Sequence, residues 1–192
     1  MKRFPTLLSA GLLSIGLVAT SLFVQKTIVR ADDRTGGPSA IAKVEAAGNQ
    51  KEKITGTVVF TSETDGVRVV AAIDGLTPGK HGFHIHEKND LTAPDLSSAG
   101  GHWNPGNTKH GGPDSAEHHA GDLGNLVADE KGHAHYDEII KGIHIDGKMG
   151  VIGHSVIIHA KADDLTSQPA GDSGARIAGG AIVARVNDRS EK

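Results

Sequence analysis

The most constraining feature of this chain is a histidine-rich segment that begins as a strand and continues as a long irregular loop. Seven of the twelve histidines lie between His81 and Asp122. In the apolar run GFHIHE, His84 and His86 are two residues apart, so a β-strand would direct both imidazoles to one face. Residues 89–121 are rich in glycine, proline, asparagine and serine and show no strand or helix periodicity. A loop of this length within a compact domain is uncommon unless it is functional.

Histidines on a strand, with more of them on a loop that can fold over it, are typical of a metal site. Imidazole is the commonest side-chain metal ligand and binds copper, zinc, iron and nickel. A closed four-coordinate set suited to zinc is available in the loop from His102, His110, His119 and Asp122. The strand pair His84 and His86 needs further ligands, and His159 at the end of a later apolar run could supply one. A nitrogen-rich set with an open position suits redox-active copper.

Six other histidines are predicted not to be ligands, because a single histidine is more often a surface residue or a satisfied core residue. They are His81, His118, His133, His135, His144 and His154. His133 and His135 form a second His-X-His pair. They lie in a charged hairpin that we expect to be exposed, so we interpret them as surface residues. The alternative is weak, adventitious binding of a metal by this pair.

The rest of the chain predicts an all-β fold. Short runs rich in β-branched residues are separated by turn signals such as Thr64-Asp65-Gly66, and no stretch has the pattern of an amphipathic helix. The predicted strands lie within residues 41–47, 53–63, 66–76, 79–88, 123–140 (two strands), 151–161 and 175–186. Regular short strands of this kind predict an antiparallel sandwich or barrel of about eight strands.

Residues 1–31 are predicted to be an export signal. Lys2 and Arg3 precede an apolar run of 18 residues at 7–24, and a small residue stands at a possible cleavage site after Ala31. The alternative is an uncleaved anchor, since such a run is just long enough to span a bilayer. Its serine, threonine and glycine residues favour cleavage. In either case the bulk of the chain is expected outside the cytoplasm, with membrane association only if the segment is uncleaved.

Residues 32–39 are predicted to be a flexible linker, and residues 40–188 a single domain. Removal of residues 1–31 takes away four of the 20 basic residues and no acidic one, so 16 basic and 23 acidic residues remain and the net charge is −7. Without a basic run or a stacking platform, nucleic-acid binding is not expected. The chain has no cysteine, which excludes disulfides, zinc fingers and thiol catalysis.

Six motifs spaced along residues 40–186 resemble those of the copper/zinc superoxide dismutase family, in its exported bacterial type. They are GFHIHE, GGHWNP, KHGGP, HHAGDLGN, VIIHAKADDL and GARIAGG. The resemblance implies an eight-stranded Greek-key β-barrel with two long functional loops, in agreement with the strand count. It also implies an enzyme that converts superoxide into dioxygen and hydrogen peroxide at a copper ion cycling between Cu(II) and Cu(I), with a zinc ion ordering the loop.

The resemblance also implies roles for individual residues. The implied copper ligands are His84, His86, His102 and His159, and the implied zinc ligands are His102, His110, His119 and Asp122. His102 would be a shared, bridging imidazolate that leaves the copper on reduction and takes a proton. Asp163 would join the copper ligand His84 to the zinc ligand His110 and so fix their orientation. Arg176 would guide and hold the superoxide anion with its permanently charged guanidinium.

Two departures from the family pattern affect stability and anion attraction. The usual disulfide is missing, because its half-cystine positions correspond to Leu96 and Gly179. Leu96 is expected to bury apolar surface at that place instead. The second loop, Asp164 to Gly174, is short and contains no lysine. We therefore expect the positive electrostatic field that attracts superoxide to come from Arg176, the metals and one of two lysines, Lys161 or Lys109.

The sequence also allows two alternatives to an enzyme. The first is a non-enzymatic, extracytoplasmic copper/zinc-binding protein on the same fold, and the presence of every implied ligand and of the arginine argues against it. The second is a structural β-domain with surface histidines, which would not explain Asp122, Asp163 and Arg176. We expect a monomer or a homodimer that takes superoxide as its substrate.

Overall fold

The structure is a computed structural model and describes residues 38–185. It contains the eight strands β1 (Ser39–Ala46), β2 (Thr55–Glu63), β3 (Gly66–Asp74), β4 (Gly79–His86), β5 (Asp122–Ala128), β6 (Ala134–Lys141), β7 (Ser155–His159) and β8 (Arg176–Ala184). Residues 1–31, residues 32–37 of the predicted linker and the last residues of the predicted domain lie outside the described residues, and Ser39, the last residue of the predicted linker, belongs to β1. Between residues 38 and 185, no helix has the length and apolar character needed to cross a membrane.

The strands close into an antiparallel barrel. Around the barrel the order is β1-β2-β3-β6-β5-β4-β7-β8. Strands β4, β5 and β6 are successive neighbours, and β7 returns after a long connection to lie beside β4, which is the Greek-key arrangement. The predicted all-β, eight-stranded barrel is confirmed.

Two long loops each join a pair of neighbouring strands, and they leave opposite ends of the barrel because β4 and β7 are antiparallel. The first loop, residues 87–121, joins β4 to β5 and contains one turn of 3-10 helix at Ser97–Ala99. The second loop, residues 160–175, joins β7 to β8. Both predicted long loops are therefore present, and each extends a few residues beyond its predicted limits, so the second loop contains Lys161, which its predicted bounds left out.

Strand β7 is shorter than the predicted run at 151–161. The Val151 N–H donates to the carbonyl of His144, so this part of the run pairs with the preceding loop and not with a neighbouring strand. Gly153 has φ of 92°, a left-handed conformation that interrupts an extended chain. The regular strand is Ser155–His159, although Gly153 and His154 still exchange hydrogen bonds with Ile182 of β8.

The side chains of β4 alternate between the inside and the outside of the barrel, as the period of a strand requires. Phe83 and Ile85 belong to the core cluster, so His84 and His86 lie on the outer face. All four are buried: Phe83 and Ile85 inside the barrel, and His84 and His86 beneath the two loops that cover the outer face. Strand β7 is buried in the same way along its whole length, and its outer face carries His159. The candidate site therefore lies between the barrel wall and its loops.

Leu96 packs where the family resemblance implies a disulfide. It is buried in a small apolar cluster outside the barrel, together with Ala47, Ala99 and Ile157. A Cβ atom built on Gly179 would lie 3.2 Å from Leu96 Cδ1, so the two positions are adjacent. The expectation that Leu96 buries apolar surface here is confirmed, and this side chain links the first loop to β7 and β8.

We predict that Leu96→Ala lowers the free energy of unfolding by about 2–5 kcal/mol, because it removes a buried leucine and leaves a cavity. The measurement is urea denaturation of the metal-loaded protein. Leu165→Ala is the matched control, since Leu165 also has a left-handed backbone (φ of 64° against 59° for Leu96) but is 38% exposed. A cost at Leu96 no larger than the cost at Leu165 would contradict the assigned role.

Candidate metal centre

Backbone pairing brings the predicted site residues to one place on the outer wall. The paired residues are His84 with Asp122, His86 with His102, and His159 with Arg176. Four strands and the first loop thus converge where β4 meets β5 and β7. His110 and His119 reach the same place from the first loop, where both are buried.

Two groups of four side chains could each hold a metal ion, and they share His102. The first ligand group is His84, His86, His102 and His159, and the second ligand group is His102, His110, His119 and Asp122. In each group the potential ligand atoms lie within 4.8 Å of one another, and all of the residues are buried. These are the sets predicted above for copper and zinc. The structure brings every member together, and their roles as ligands stay a prediction.

The hydrogen bonds of the imidazoles indicate which nitrogen faces the centre of the first ligand group. His86 and His159 each place Nδ1 against a main-chain carbonyl oxygen, at 3.0 and 3.1 Å. His84 places Nε2 2.8 Å from Asp163 Oδ2. A ring nitrogen that donates to oxygen carries the proton, so the other nitrogen of a neutral imidazole has the free lone pair. The atoms available to a metal are therefore Nε2 of His86 and of His159 and Nδ1 of His84.

His102 presents one nitrogen to each ligand group. Its Nδ1 lies 2.8 Å from Asp122 Oδ1 and 3.4 Å from His119 Nδ1. On the other side, its ring centroid is 4.0 Å from that of His84 and 5.1 Å from that of His86. An imidazole in this position is able to serve both groups at once.

Three buried ring nitrogens have no hydrogen-bond partner among the described residues: His84 Nδ1, His102 Nε2 and His110 Nδ1. His110 Nδ1 is 3.1 Å from Asp122 Oδ1 but lacks the geometry of a hydrogen bond. A buried polar atom without a partner is costly and calls for an explanation. All three atoms face the interior of a ligand group, so metal coordination would satisfy them. Four nitrogens suit copper, and three nitrogens with one carboxylate suit zinc.

Asp163 connects the two ligand groups from behind. Its Oδ2 lies 2.8 Å from His84 Nε2, and its Oδ1 lies 3.0 Å from His110 Nε2. Its main chain is held by the side-chain amide of Asn125, which accepts at 2.7 Å and donates at 2.9 Å. Gly171 is needed beside it, because a Cβ atom there would overlap Asp163 Oδ1. One carboxylate therefore orients an imidazole of each group.

Burial and hydrogen bonding keep several of the ligand residues in the protonation states that metals require. Desolvation, followed by the neighbouring histidines, holds the pKa of His84 and of His86 well below the ordinary value, and the pKa of His159 falls to about 4. Burial alone would raise the pKa of Asp122. Hydrogen bonds from His102 and from two main-chain N–H groups outweigh that effect, and the pKa is lowered. Neutral imidazoles and an ionised carboxylate are the ligand forms.

Arg176 ties the first loop to β8 beside the first ligand group. Its Nη1 donates to the carbonyl of Leu96 and its Nη2 to the carbonyl of Gly100, both at 2.6 Å. The same Gly100 oxygen accepts from His86 Nδ1 at 3.0 Å. Burial lowers the pKa of Arg176 and Asp95 opposes this, but a guanidinium remains charged. A permanent positive charge therefore lies next to the imidazoles of the first group.

The six histidines predicted not to be ligands lie outside both ligand groups. His81 is buried, and its ring lies between the carbonyl oxygens of Thr77 and His159, at 2.9 and 2.8 Å. It therefore supports the main chain of a first-group residue, a role that sequence reasoning missed. His133 and His135 are exposed as predicted, and His133 is paired with Asp74.

Three side-chain amides that sequence reasoning did not single out hold the loops. Each accepts from the main-chain N–H and donates to the main-chain carbonyl of one residue. The pairs are Asn125 with Asp163, Asn104 with Thr108, and Gln168 with His110. Asn125 and Asn104 lie within the quoted motifs, which was the available signal. Gln168 lies in a polar loop without such a signal.

Comparisons with known proteins agree with this geometry. A family profile described as copper/zinc superoxide dismutase (SODC) matches residues 54–182. A superoxide dismutase (Cu-Zn) of Paramecium bursaria Chlorella virus 1 is 43% identical over 146 residues, which cover 72% of this chain and 74% of that protein. An extracellular superoxide dismutase (Cu-Zn) of Drosophila melanogaster is 44% identical over 138 residues, which cover 68% and 76%.

A solved structure has the same fold. It is described as the crystal structure of the clock protein EA4, with a TM-score of 0.68 and 40% sequence identity. The match covers 76% of this chain and 93% of that one.

The lowered histidine pKa values predict that the metal-free protein loses stability as the pH falls from 6.5 to about 4. The pKa of His159 is about 4 in the folded protein against 6.5 for an ordinary histidine, so in this window the unfolded chain binds a proton that the folded protein does not. Stability therefore rises with pH across the window, by up to about 1.4 kcal/mol per pH unit for each such histidine.

Urea denaturation of chelator-treated protein at several pH values measures this slope. His159→Gln should reduce it, whereas the exposed control His135→Gln should leave it unchanged. Equal stability of the metal-free protein at both ends of the window would contradict the burial of neutral histidines.

Proposed function

The chain belongs to the copper/zinc superoxide dismutase family, and from this premise we propose how its own residues divide the work of dismuting superoxide. The protein is an oxidoreductase with copper and zinc as cofactors. We assign copper to the first ligand group and zinc to the second. The observation that carries this assignment is that two buried sets of suitable donors share His102.

Copper supplies the one-electron oxidation of one superoxide and the one-electron reduction of the next, while zinc has no redox change of its own. His84 and His86 hold their nitrogens rigidly, because β4 is buried on both faces. His159 closes the first group from β7. His110, His119 and Asp122 hold the first loop against the wall, so the second group has an ordering function.

His102 is the residue assigned to proton movement. Dismutation of two superoxide ions to dioxygen and hydrogen peroxide consumes two protons, so a proton carrier is needed beside the reacting oxygen. The Nε2 atom of His102 is buried among the first-group histidines and has no hydrogen-bond partner among the described residues. When it is not coordinated, this nitrogen would take up one proton and release it to the reduced oxygen species, while Nδ1 stays directed to the second group. The second proton would come from water.

Arg176 is the residue assigned to the superoxide anion. A guanidinium has five N–H donors, and the carbonyls of Leu96 and Gly100 use donors of two of its nitrogens. The remaining donors suit a small anion. Lys161 supports this charge from the second loop: its side chain lies against Gly174, whose carbonyl accepts from His159 Nδ1.

We further propose that the protein works outside the cytoplasm after cleavage at Ala31, as a monomer or a homodimer. The basic start and apolar run of residues 1–31 support export. The Drosophila relative is named as extracellular. Amino-terminal sequencing of the protein from its source, with sedimentation analysis, tests both parts.

We predict that His159→Ala abolishes dismutation, because it removes one nitrogen of the copper set, while zinc binding is retained. Activity and metal content are measured on the same samples, with and without a copper chelator. His135→Ala is the control, since His135 is exposed and outside both groups. Unsubstituted protein that contains full copper but does not dismute superoxide would refute the assignment.

We also predict that the activity falls as ionic strength rises, because local positive charge must steer an anion to a protein of negative net charge. Arg176→Gln should lower kcat/KM by about tenfold or more and weaken the salt dependence. Arg176→Lys should have a smaller effect on the salt dependence, since it keeps the charge, and Lys161→Gln should also weaken it. Lys141→Gln, at the end of β6, is the control. A flat salt profile in the unsubstituted protein would rule out steering.

A further inference from the structure

Gln168, in the second loop, is bonded to both main-chain polar groups of His110 in the first loop. The His110 N–H donates to Gln168 Oε1 at 2.8 Å, and Gln168 Nε2 donates to the His110 carbonyl at 2.9 Å. The same Nε2 also donates to the carbonyl of Thr166 at 3.1 Å, which fixes the amide in its own loop. This one side chain therefore pairs with both the N–H and the carbonyl of His110, as a neighbouring β-strand would.

The second loop thus holds His110 at two places, the ring and the main chain. Asp163 accepts from the ring at Nε2, and Gln168 bonds the main chain. Hydrogen bonds within the loop support both contacts. The Gly171 N–H donates to the carbonyl of Ser167 at 2.7 Å, and the Gly171 carbonyl accepts from the N–H of Asp164 at 2.9 Å. His110 Nδ1 is left facing Asp122 in the second ligand group.

We propose that Gln168 is a positioning residue for the zinc side of the site, and that it makes zinc affinity depend on the second loop. This inference rests on the assignment of zinc to the second ligand group. Without the amide, the main chain of His110 would gain conformations that zinc binding must then remove, and this entropy cost weakens the affinity. Outer partners of metal ligands typically change metal affinity 10–100-fold when they are removed.

The chain contains a close control for this effect. Asn104 makes the same pair of bonds to Thr108, at 2.9 and 3.0 Å, two residues before His110 in the same loop. Thr108 is outside both ligand groups. Gln168 is itself exposed, so its removal leaves the barrel core intact. The two amides differ in the residue they hold, a ligand against a non-ligand, and in their span: Gln168 bridges two loops, whereas Asn104 bonds within one loop and also accepts from the Thr108 hydroxyl.

The experiment compares Gln168→Ala and Asn104→Ala by chelator competition for zinc and, separately, for copper. Gln168→Ala should weaken zinc binding about 10–100-fold and change copper binding much less. Asn104→Ala should leave zinc affinity close to that of the unsubstituted protein. Gln168→Glu keeps an acceptor for the His110 N–H but loses the donor, and should be intermediate. Cobalt(II) in place of zinc should give a changed visible spectrum in Gln168→Ala only.

Unchanged zinc affinity and an unchanged cobalt spectrum in Gln168→Ala would overturn the proposal. Equal losses of zinc and copper affinity, with a lower melting temperature of the metal-free protein, would also overturn it, because the effect would then be general. Asp122→Asn separates this failure from failure of the zinc assignment. If Asp122→Asn also retains full zinc affinity, the assignment fails and the inference with it; if only Asp122→Asn loses zinc, only the role of Gln168 is refuted.

Discussion

The outer face of β4 must be buried although it lies outside the barrel, and the rest of the structure depends on this constraint. Phe83 and Ile85 fill the barrel, so the alternation of the strand leaves His84 and His86 on the outside. Imidazoles on this outer face can hold a metal away from water only if other residues lie over them. The first and second loops provide this cover, which explains why an eight-stranded barrel of this size has two connections that are so long.

A cover made of loops has to be attached, and different interactions attach it at different places. Arg176 holds the part around the 3-10 turn through two carbonyl oxygens. Leu96 holds the same part by apolar contact above Gly179, where the family resemblance implies a disulfide. Asp163 and Gln168 hold the part around His110. The hydrogen bonds act on atoms at or next to the candidate ligands, so the attachments of the loops also position the site.

The buried ligand groups link metal binding to folding. Three ring nitrogens are buried without a hydrogen-bond partner among residues 38–185, and desolvation holds the pKa of several imidazoles below its ordinary value. Both features are unfavourable in a metal-free protein and favourable to a cation, since neutral nitrogens and an ionised carboxylate are ready to bind. Metal binding free energy is therefore available to stabilise the folded loops.

The sequence by itself determined the fold class and the candidate ligands. Period-two alternation is local, so GFHIHE alone predicts that His84 and His86 share a face, and the spaced motifs identify the remaining members. Tertiary structure decided what depends on contacts between distant residues. Spacing alone does not show that His102 is shared between two groups, which only the family resemblance implied. The amide of Gln168 on His110, 58 positions away, has no local signal. The start of β7 was also decided by tertiary structure. The apolar run predicts a strand from residue 151, but Val151 pairs with the preceding loop, because the available hydrogen-bond partner decides where a strand begins.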